Sequence, residues 1–423
     1  MRILYLPAYF FPEKAASNYL NENRNQAFAD AGIDMTVFVP SPSRGISPEE
    51  RIKYCSSDYR EEILYNGHLQ LQRFSMYAER RNPLLRALRY VFCWIKQFNR
   101  GLISKDIDCI FLASTPPIQG VLGACLKFFK RVPFVYNLQD IFPDSLVGTG
   151  MTHKGSLLWK IGRSIENFTY RNADKIIVIS EDFKRNVIAK GVPEDKIEII
   201  YNWVDEKAIT PVNNVDNPLY IELGLQRDIF RIVYAGNLGN AQNISIILDA
   251  ASKLKDVADL EFLIFGTGGI EDEIRERIEK EMLTNVRLLP LQPYEKVKYV
   301  YSMGDACVVS CKAGLGGSAM PSKTWSILSC GRPVIASFDE GELKTILENH
   351  KCGVFTKAGD TNSFVEGILK LYNDRELCKE YGANGRKFIL ENLTKEVGTA
   401  RYVEVIKEVV SSHQKKTPSN PPA

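Results

Sequence analysis

The sequence predicts an α/β fold of two doubly wound, Rossmann-like parallel sheets, one in each half of the chain, with a ligand cleft between them. Three observations carry this. Short apolar runs alternate with segments of helical spacing almost throughout. At 423 residues the chain is too long for one ordinary core. Near its middle, Thr210–Asp228 is rich in Asn, Pro and Asp and reads as a linker. The expected layout is an N-terminal domain over 1–207, a C-terminal domain over 208–398, a helix over 399–411 packing back on the N-terminal domain, and a polar, proline-rich tail over 412–423 without structure.

In the first half the strands expected are Ile3–Leu6, Met35–Val39, Cys109–Leu112, Pro133–Tyr136, Lys175–Ile179 and Ile197–Tyr201, all short and rich in apolar residues. Helical spacing marks Ser17–Ala31, which Gly32 ends as a glycine just past a helix does, and Ser156–Arg171. Tyr59–Ser75 reads as a hairpin turning at Asn66-Gly67. The second half repeats the style with strands at Ile232–Ala235, Leu260–Phe265, Val286–Leu288, Ala306–Val309, Val334–Ala336 and Gly353–Phe355. Alternation of this kind makes parallel sheets, whose ligands sit at the carboxyl ends of the strands.

Composition excludes several classes. A net charge of +3 gives no reason to expect nucleic acid. The nine cysteines form no CxxC pair and have no histidine at metal-ligand spacing, so neither a disulfide framework nor zinc is expected. No apolar run is long enough to span a bilayer. The basic charge is uneven, however. Asn82–Lys105 places Leu85, Leu88, Val91, Phe92, Ile95 and Phe98 at helical spacing, with Arg86, Arg89, Lys96, Arg100 and Lys105 interleaved and Arg81 just before. This is either a basic amphipathic helix for a membrane surface or a core helix with a solvated basic face.

Glycines mark the candidate ligand site. Gly314, Gly316 and Gly317 lead through Ser318 and Ser322 to a short helix whose first turn holds Lys323. Gly236, Asn237 and Gly239 follow one strand, and Gly266 and Gly268 end another. Glycine lets a backbone approach a ligand, and strand-to-helix turns offer N–H groups to phosphate. The alternative is that these are ordinary connections. In the first half, Ser114 and Thr115 end a strand, and Gln139, Asp140 and Asp144 follow another. Carboxylates there suit the positioning of a hydroxyl or the stabilising of a cation, although Asp beside Pro is also common turn chemistry.

These residues resemble glycosyltransferase family 4 with the GT-B fold, and within it the WbuB-like bacterial transferases of surface polysaccharides. The likeness rests on Ser114–Pro117, Gln139–Ser145, Val178–Val192, Ile199–Asp205, Tyr234–Asn243, Phe265–Gly268 and Pro321–Ser337. It implies a retaining transfer of a sugar, such as an N-acetylated amino or deoxy sugar, from a nucleoside-diphosphate donor, most simply UDP-linked. The acceptor implied is a glycan or a polyprenyl-diphosphate-linked chain. The donor would lie on the C-terminal domain (Gly236, Asn237, Gly239, Gly266, Gly268, Gly316, Gly317, Ser318, Ser322, Lys323) and the acceptor on the N-terminal one (Ser114, Thr115, Gln139), with Asp140 and Asp144 catalytic. It further implies a cytoplasmic protein at the inner membrane surface, with no metal or other cofactor. The departures are specific. Ser318 and Ser326 stand where many relatives have glutamates, Asn237 and Gln242 or Asn243 where they have Arg and Lys, and Gln139-Asp140 where they have His-Asp. Lys323 and Arg332 are the cations left. A nucleotide-sugar epimerase on the same fold, with His68, His153 or His350 as its acid or base, and a non-catalytic nucleotide-sugar-binding partner are the alternatives.

Overall fold

The computed structural model describes residues 1–13, 18–79, 82–148, 150–316 and 320–416. It divides into two units. Unit 1 is Met1–Tyr201 together with Gly398 onwards, and unit 2 is Asn202–Val397.

Unit 1 runs β1 (Arg2–Tyr5), α1 (Asn18–Asp30), β2 (Asp34–Pro40), α2 (Pro48–Cys55), β3 (Glu61–Leu64), β4 (Leu69–Phe74), α3 (Pro83–Ile103), β5 (Cys109–Ala113), α4 (Ile118–Lys130), β6 (Phe134–Leu138), α5 (Asp144–Gly148), α6 (Leu157–Asn172), β7 (Lys175–Val178), α7 (Glu181–Ala189) and β8 (Ile197–Ile199). Its sheet has the order β3-β4-β2-β1-β5-β6-β7-β8. Only β3 is antiparallel, because it forms the expected hairpin with β4. The turn forces Asn66 to a φ of 53°, a conformation that Asn tolerates better than most residues. The inner strands are apolar because both faces are covered: Ile110, Leu112, Val135 and Ile177 are buried.

Unit 2 contains α8 (Leu219–Glu222), β9 (Phe230–Asn237), α9 (Ser245–Lys253), β10 (Leu260–Thr267), α10 (Glu271–Lys280), β11 (Val286–Leu289), α11 (Val297–Ser302), β12 (Ala306–Ser310), α12 (Lys323–Ser329), β13 (Val334–Phe338), α13 (Glu342–Asn349), β14 (Gly353–Lys357), α14 (Thr361–Asn373) and α15 (Arg375–Asn392), and α16 (Lys395–Lys416) leads back into unit 1. The sheet is wholly parallel in the order β11-β10-β9-β12-β13-β14. One face is sealed by a cluster including Phe230, Ile232, Phe262, Ile264, Val308 and Phe364. Each such side chain contributes roughly 1.5–3 kcal/mol on burial.

Two boundaries differ from expectation. The polar stretch Thr210–Asp228 does not hang free. Leu219 and Tyr220 are buried, and the Asn217 side chain donates to the Tyr299 carbonyl (2.7 Å), so the segment belongs to unit 2. The division falls earlier, at Tyr201/Asn202. The tail expected over 412–423 is helical as far as Lys416, and the remainder lies outside the described residues.

Candidate functional site

In unit 2 the chain starts its sheet at β9 and builds outward in both directions, so β9 and β12 flank the switch point of the strand order. Their ladder is short. It pairs Ile232 with Ala306 and Val233 with Cys307, while β9 runs on to Asn237 and β12 to Ser310. The strands therefore part towards their carboxyl ends. The loops beyond them are tied together, since Ser310 Oγ donates to the Gln242 carbonyl (2.6 Å) and Lys312 N to the Ala241 carbonyl (2.9 Å).

Lys323 reaches this place from the start of α12. Its Nζ stands 4.0 Å from the centre of the buried Tyr234 ring, a cation–π contact. Among the described residues it has no hydrogen-bond or carboxylate partner. Lack of solvation pushes its pKa down to about 7. Gly236 makes the approach possible. Its φ is +148°, and a Cβ there would lie 2.8 Å from the Lys323 ammonium. The Tyr234 hydroxyl donates to the Asn237 carbonyl (2.8 Å), which fixes the ring beneath the lysine.

The other expected donor residues divide by what surrounds them. Asn237 is exposed, and Gly239 is crowded by the Asn237 and Gln242 side chains. A Cβ on Gly266 would strike the Gly236 carbonyl, and one on Gly268 the Leu238 carbonyl, so close strand-to-loop packing is reason enough for both glycines. Gly316 donates its N–H to Asp339 Oδ2 (2.8 Å) at the end of β13. Ser322 is exposed just before α12. Gly317 and Ser318 lie outside the described residues. The helix dipole expected at Lys323 is weak, because α12 has only seven residues. Arg332 is not at this edge. It precedes β13 and donates to the Ser302 carbonyl (2.6 Å) at the opposite end of the strands.

In unit 1, Ser114 is buried and its Oγ accepts from the Gln139 (3.0 Å) and Asp140 (3.2 Å) amides, shaping the turn after β6. Thr115 beside it is exposed. The Gln139 and Tyr402 side chains both donate to Asn137 Oδ1 (2.9 and 3.0 Å). Asp140 stands open to solvent on one side. Crowding by the protein raises its pKa, and the Ser145 hydroxyl, donating at 3.1 Å, lowers it.

Asp144 has a different task. Its Oδ2 takes the Lys190 ammonium (2.8 Å) and the Asn186 amide (3.3 Å), and Lys190 also holds buried Glu166 (2.6 Å). Asp144 thus stands in an ion-paired cluster with Lys190 and Glu166, and Asp140 does not share in it. Removing Lys190 would leave two carboxylates short of their cation, at a cost of about 3–5 kcal/mol. Lys190→Ala should lower the urea midpoint of unit 1, whereas Asp144→Asn should leave kcat within about threefold once folded protein is counted.

Sequence reasoning missed Tyr234, Asp339 and Glu13. Glu13 ties the loop after β1 to that after β2, accepting from Ser43 N (2.8 Å), Arg44 N (2.9 Å) and Phe10 N (3.2 Å). Burial raises its pKa, and those amides pull it back. Of the imidazoles, His68 pairs with Asp34 (2.9 Å) at the amino end of β2. His350 follows α13, which leads away from the carboxyl edge, and packs on Phe388 with ring centres 4.4 Å apart. Within unit 2, His350 therefore does not line the Lys323 crevice. His153 lies in unit 1, between α5 and α6.

Residues 24–208 match the sequence model described as Glycosyltransferase Family 4, and residues 222–388 that described as Glycosyl transferases group 1. A protein of Pseudomonas aeruginosa named as the probable glycosyltransferase WbjE is 22% identical over 309 residues, 72% of this chain and 75% of that one. A protein of Escherichia coli K12 named for colanic acid biosynthesis, the glycosyl transferase WcaI, is 28% identical over 255 residues, 58% of this chain and 62% of that one. Among solved structures, HepE of Anabaena in complex with UDP aligns with a TM-score of 0.72 over 96% of this chain and 100% of that one, at 18% identity, a likeness of fold. With both halves matched in order, and with two Rossmann-like parallel sheets, the chain belongs to the family 4 glycosyltransferases and has the GT-B fold.

Proposed function

We propose that this glycosyltransferase moves a sugar, with retention of configuration, from a UDP-linked donor to a glycan or polyprenyl-diphosphate-linked acceptor in surface polysaccharide synthesis. The observation that carries the donor half is the Lys323 ammonium. It is held on the Tyr234 ring at the switch point of unit 2 with no partner of its own among the described residues. A half-buried cation with no carboxylate partner among the described residues is suited to take an anion, and a diphosphate is the anion that the surrounding glycine turns can admit. The UDP complex of the HepE fold relative supports the base, and the name of WcaI supports polysaccharide assembly.

In this reading Lys323 and loop N–H groups meet the charge of the leaving diphosphate. The oxocarbenium-like centre forms as the glycosidic C–O bond to phosphate lengthens. The leaving phosphate oxygen takes the acceptor hydroxyl's proton as the new C–O bond forms on the same face, so no strong enzyme base is needed. Asp140 of unit 1 is assigned to the acceptor hydroxyl or the developing positive charge. The protein works at the inner face of the membrane, where a lipid-linked acceptor presents its sugar.

The test is turnover of UDP-sugars with and without a polyprenyl-diphosphate-sugar acceptor, in the presence of EDTA. Acceptor-dependent release of UDP with an α-linked product from an α-linked donor is the expected result. Conversion of the donor without acceptor would show an epimerase instead, and tight UDP binding with no transfer to any acceptor a non-catalytic partner.

A further inference from the structure

Helix α3 is built inside out. The stripe it turns inward is Arg89, Cys93, Gln97 and Gly101, with Arg89 and Gln97 both 0% exposed. Arg89 donates to the Tyr77 carbonyl (3.2 Å) and Ser43 Oγ (3.3 Å). Gln97 donates to the Pro7 (2.9 Å) and Phe38 (3.1 Å) carbonyls. Its outward row is Leu84 (75% exposed), Leu88, Val91, Phe92, Ile95 and Ile103. A helix covering a core has the reverse arrangement. This disposes of the core-helix alternative and corrects the list of surface cations. Arg89 is interior, and Arg81 lies outside the described residues.

The apolar surface does not stop at α3. Helix α4 packs closely beside α3, where a Cβ on Gly101 would fall 2.7 Å from Leu126, and beside α6, where Gly120 leaves room for Thr169. Right-handed crossovers set the three on one face of the sheet. The end of α4 exposes Phe128 (77%) and Phe129, whose ring centre lies 5.8 Å from that of Phe98 on α3. Helix α6 adds Leu157 (75% exposed), Leu158 and Ile161. Across the three helices the sole acidic residue is Glu166, buried and paired with Arg163 and Lys190. Lys96, Arg100, Lys130, Lys160 and Arg171 have no carboxylate partner among the described residues.

We propose that the joint outer face of α3, α4 and α6 lies on an anionic phospholipid bilayer, with Phe128, Phe129 and the α3 row entering its interface. This deepens the membrane part of the function proposed above and rests on it. The surface combines exposed apolar side chains with lysines and arginines and has no exposed acid on its three helices, which matches acyl chains beneath anionic headgroups. A second copy of the same face would set cations against cations. No helix among the described residues is long and apolar enough to cross a membrane, so contact would be peripheral.

Sedimentation with phosphatidylcholine vesicles, with and without phosphatidylglycerol, tests this on the full chain. The wild type should bind the anionic vesicles and release them at high salt. Phe128→Ser with Phe129→Ser, and separately Leu157→Ser with Leu158→Ser, should each lower partitioning by about tenfold, as should Leu88→Ser with Phe92→Ser. A rise in Tm on adding UDP confirms that each variant is folded and reports on the donor reading separately. The proposal is overturned if UDP raises the wild-type Tm but the protein ignores both vesicles. It is equally overturned if only the α3 pair matters, or if ultracentrifugation shows a stable dimer that these pairs dissolve.

Discussion

Lys323→Ala should lower kcat/KM for the nucleotide-sugar donor by about 10- to 100-fold. A charge-assisted hydrogen bond to phosphate contributes roughly 1.5–3 kcal/mol, and about 1.4 kcal/mol is a factor of ten. The effect should depend on pH in a defined sense. In the free protein the Lys323 pKa lies at about 7, and a bound diphosphate stabilises the ammonium and raises it. Below about pH 7 the side chain is already charged, and its contribution to binding is constant. Above that pH the ligand must bring a proton with it, so UDP affinity should fall by up to about tenfold per pH unit until the bound-state pKa is reached. Stability runs the other way. A depressed lysine pKa means that the unfolded chain binds the extra proton from about pH 7 upward, so the unliganded protein gains stability as pH rises through that window. Lys323→Met should accordingly raise the apo Tm at neutral pH while abolishing the pH dependence of UDP binding. Calorimetric titration of UDP in buffers of different ionisation enthalpy measures the proton directly. Equal proton uptake by wild type and Lys323→Met would remove Lys323 from the diphosphate.

Asp140→Asn should lower kcat by about 100-fold or more with little change in UDP affinity. Fixed charge aimed at a developing cation is worth roughly 2.7–4 kcal/mol at a transition state, and the amide keeps the shape while losing the charge. The turn around Asp140 is held through its backbone N–H by Ser114 Oγ, so the substitution leaves the loop in place. Ser114→Ala, by contrast, should disturb both the Gln139 and Asp140 amides and move KM for the acceptor together with kcat. If Asp140→Asn turns over as fast as wild type, the residue is a turn former and nothing more.

The strands were legible because parallel sheets covered on both faces write themselves as apolar runs, as in Cys109–Ala113 and Val334–Phe338. Lys323 was legible because a glycine turn and a helix start bracket it. What stayed hidden depends on neighbours distant in sequence. Tyr234 looks like any buried strand residue until Lys323 is laid over its ring. Asp144 looks unpaired until Lys190, on the far side of α6 and β7 in the chain, arrives to pair with it. Arg332 looks available until the direction of β13 puts it at the wrong edge. The α3 pattern is the sharpest case. Periodicity reveals a stripe but not which way it points. The Pro7 and Phe38 carbonyls and Gln119 set the direction, because together they need the Gln97 amide inside.

The return of the chain into unit 1 has a consequence for how the protein is born. Unit 2 is one uninterrupted stretch, Asn202–Val397, whereas unit 1 is assembled from both ends of the polypeptide. Tyr402 belongs to the unit 1 interior. It is buried, bonds to Asn137, and lies under the Arg24 guanidinium, 5.8 Å from its ring centre. During synthesis the half that is made first therefore cannot close until the last helix has left the ribosome, and the half made second is complete before it. A released chain truncated just past Val397 should hold a protease-resistant unit 2 and an N-terminal half still open to chaperones.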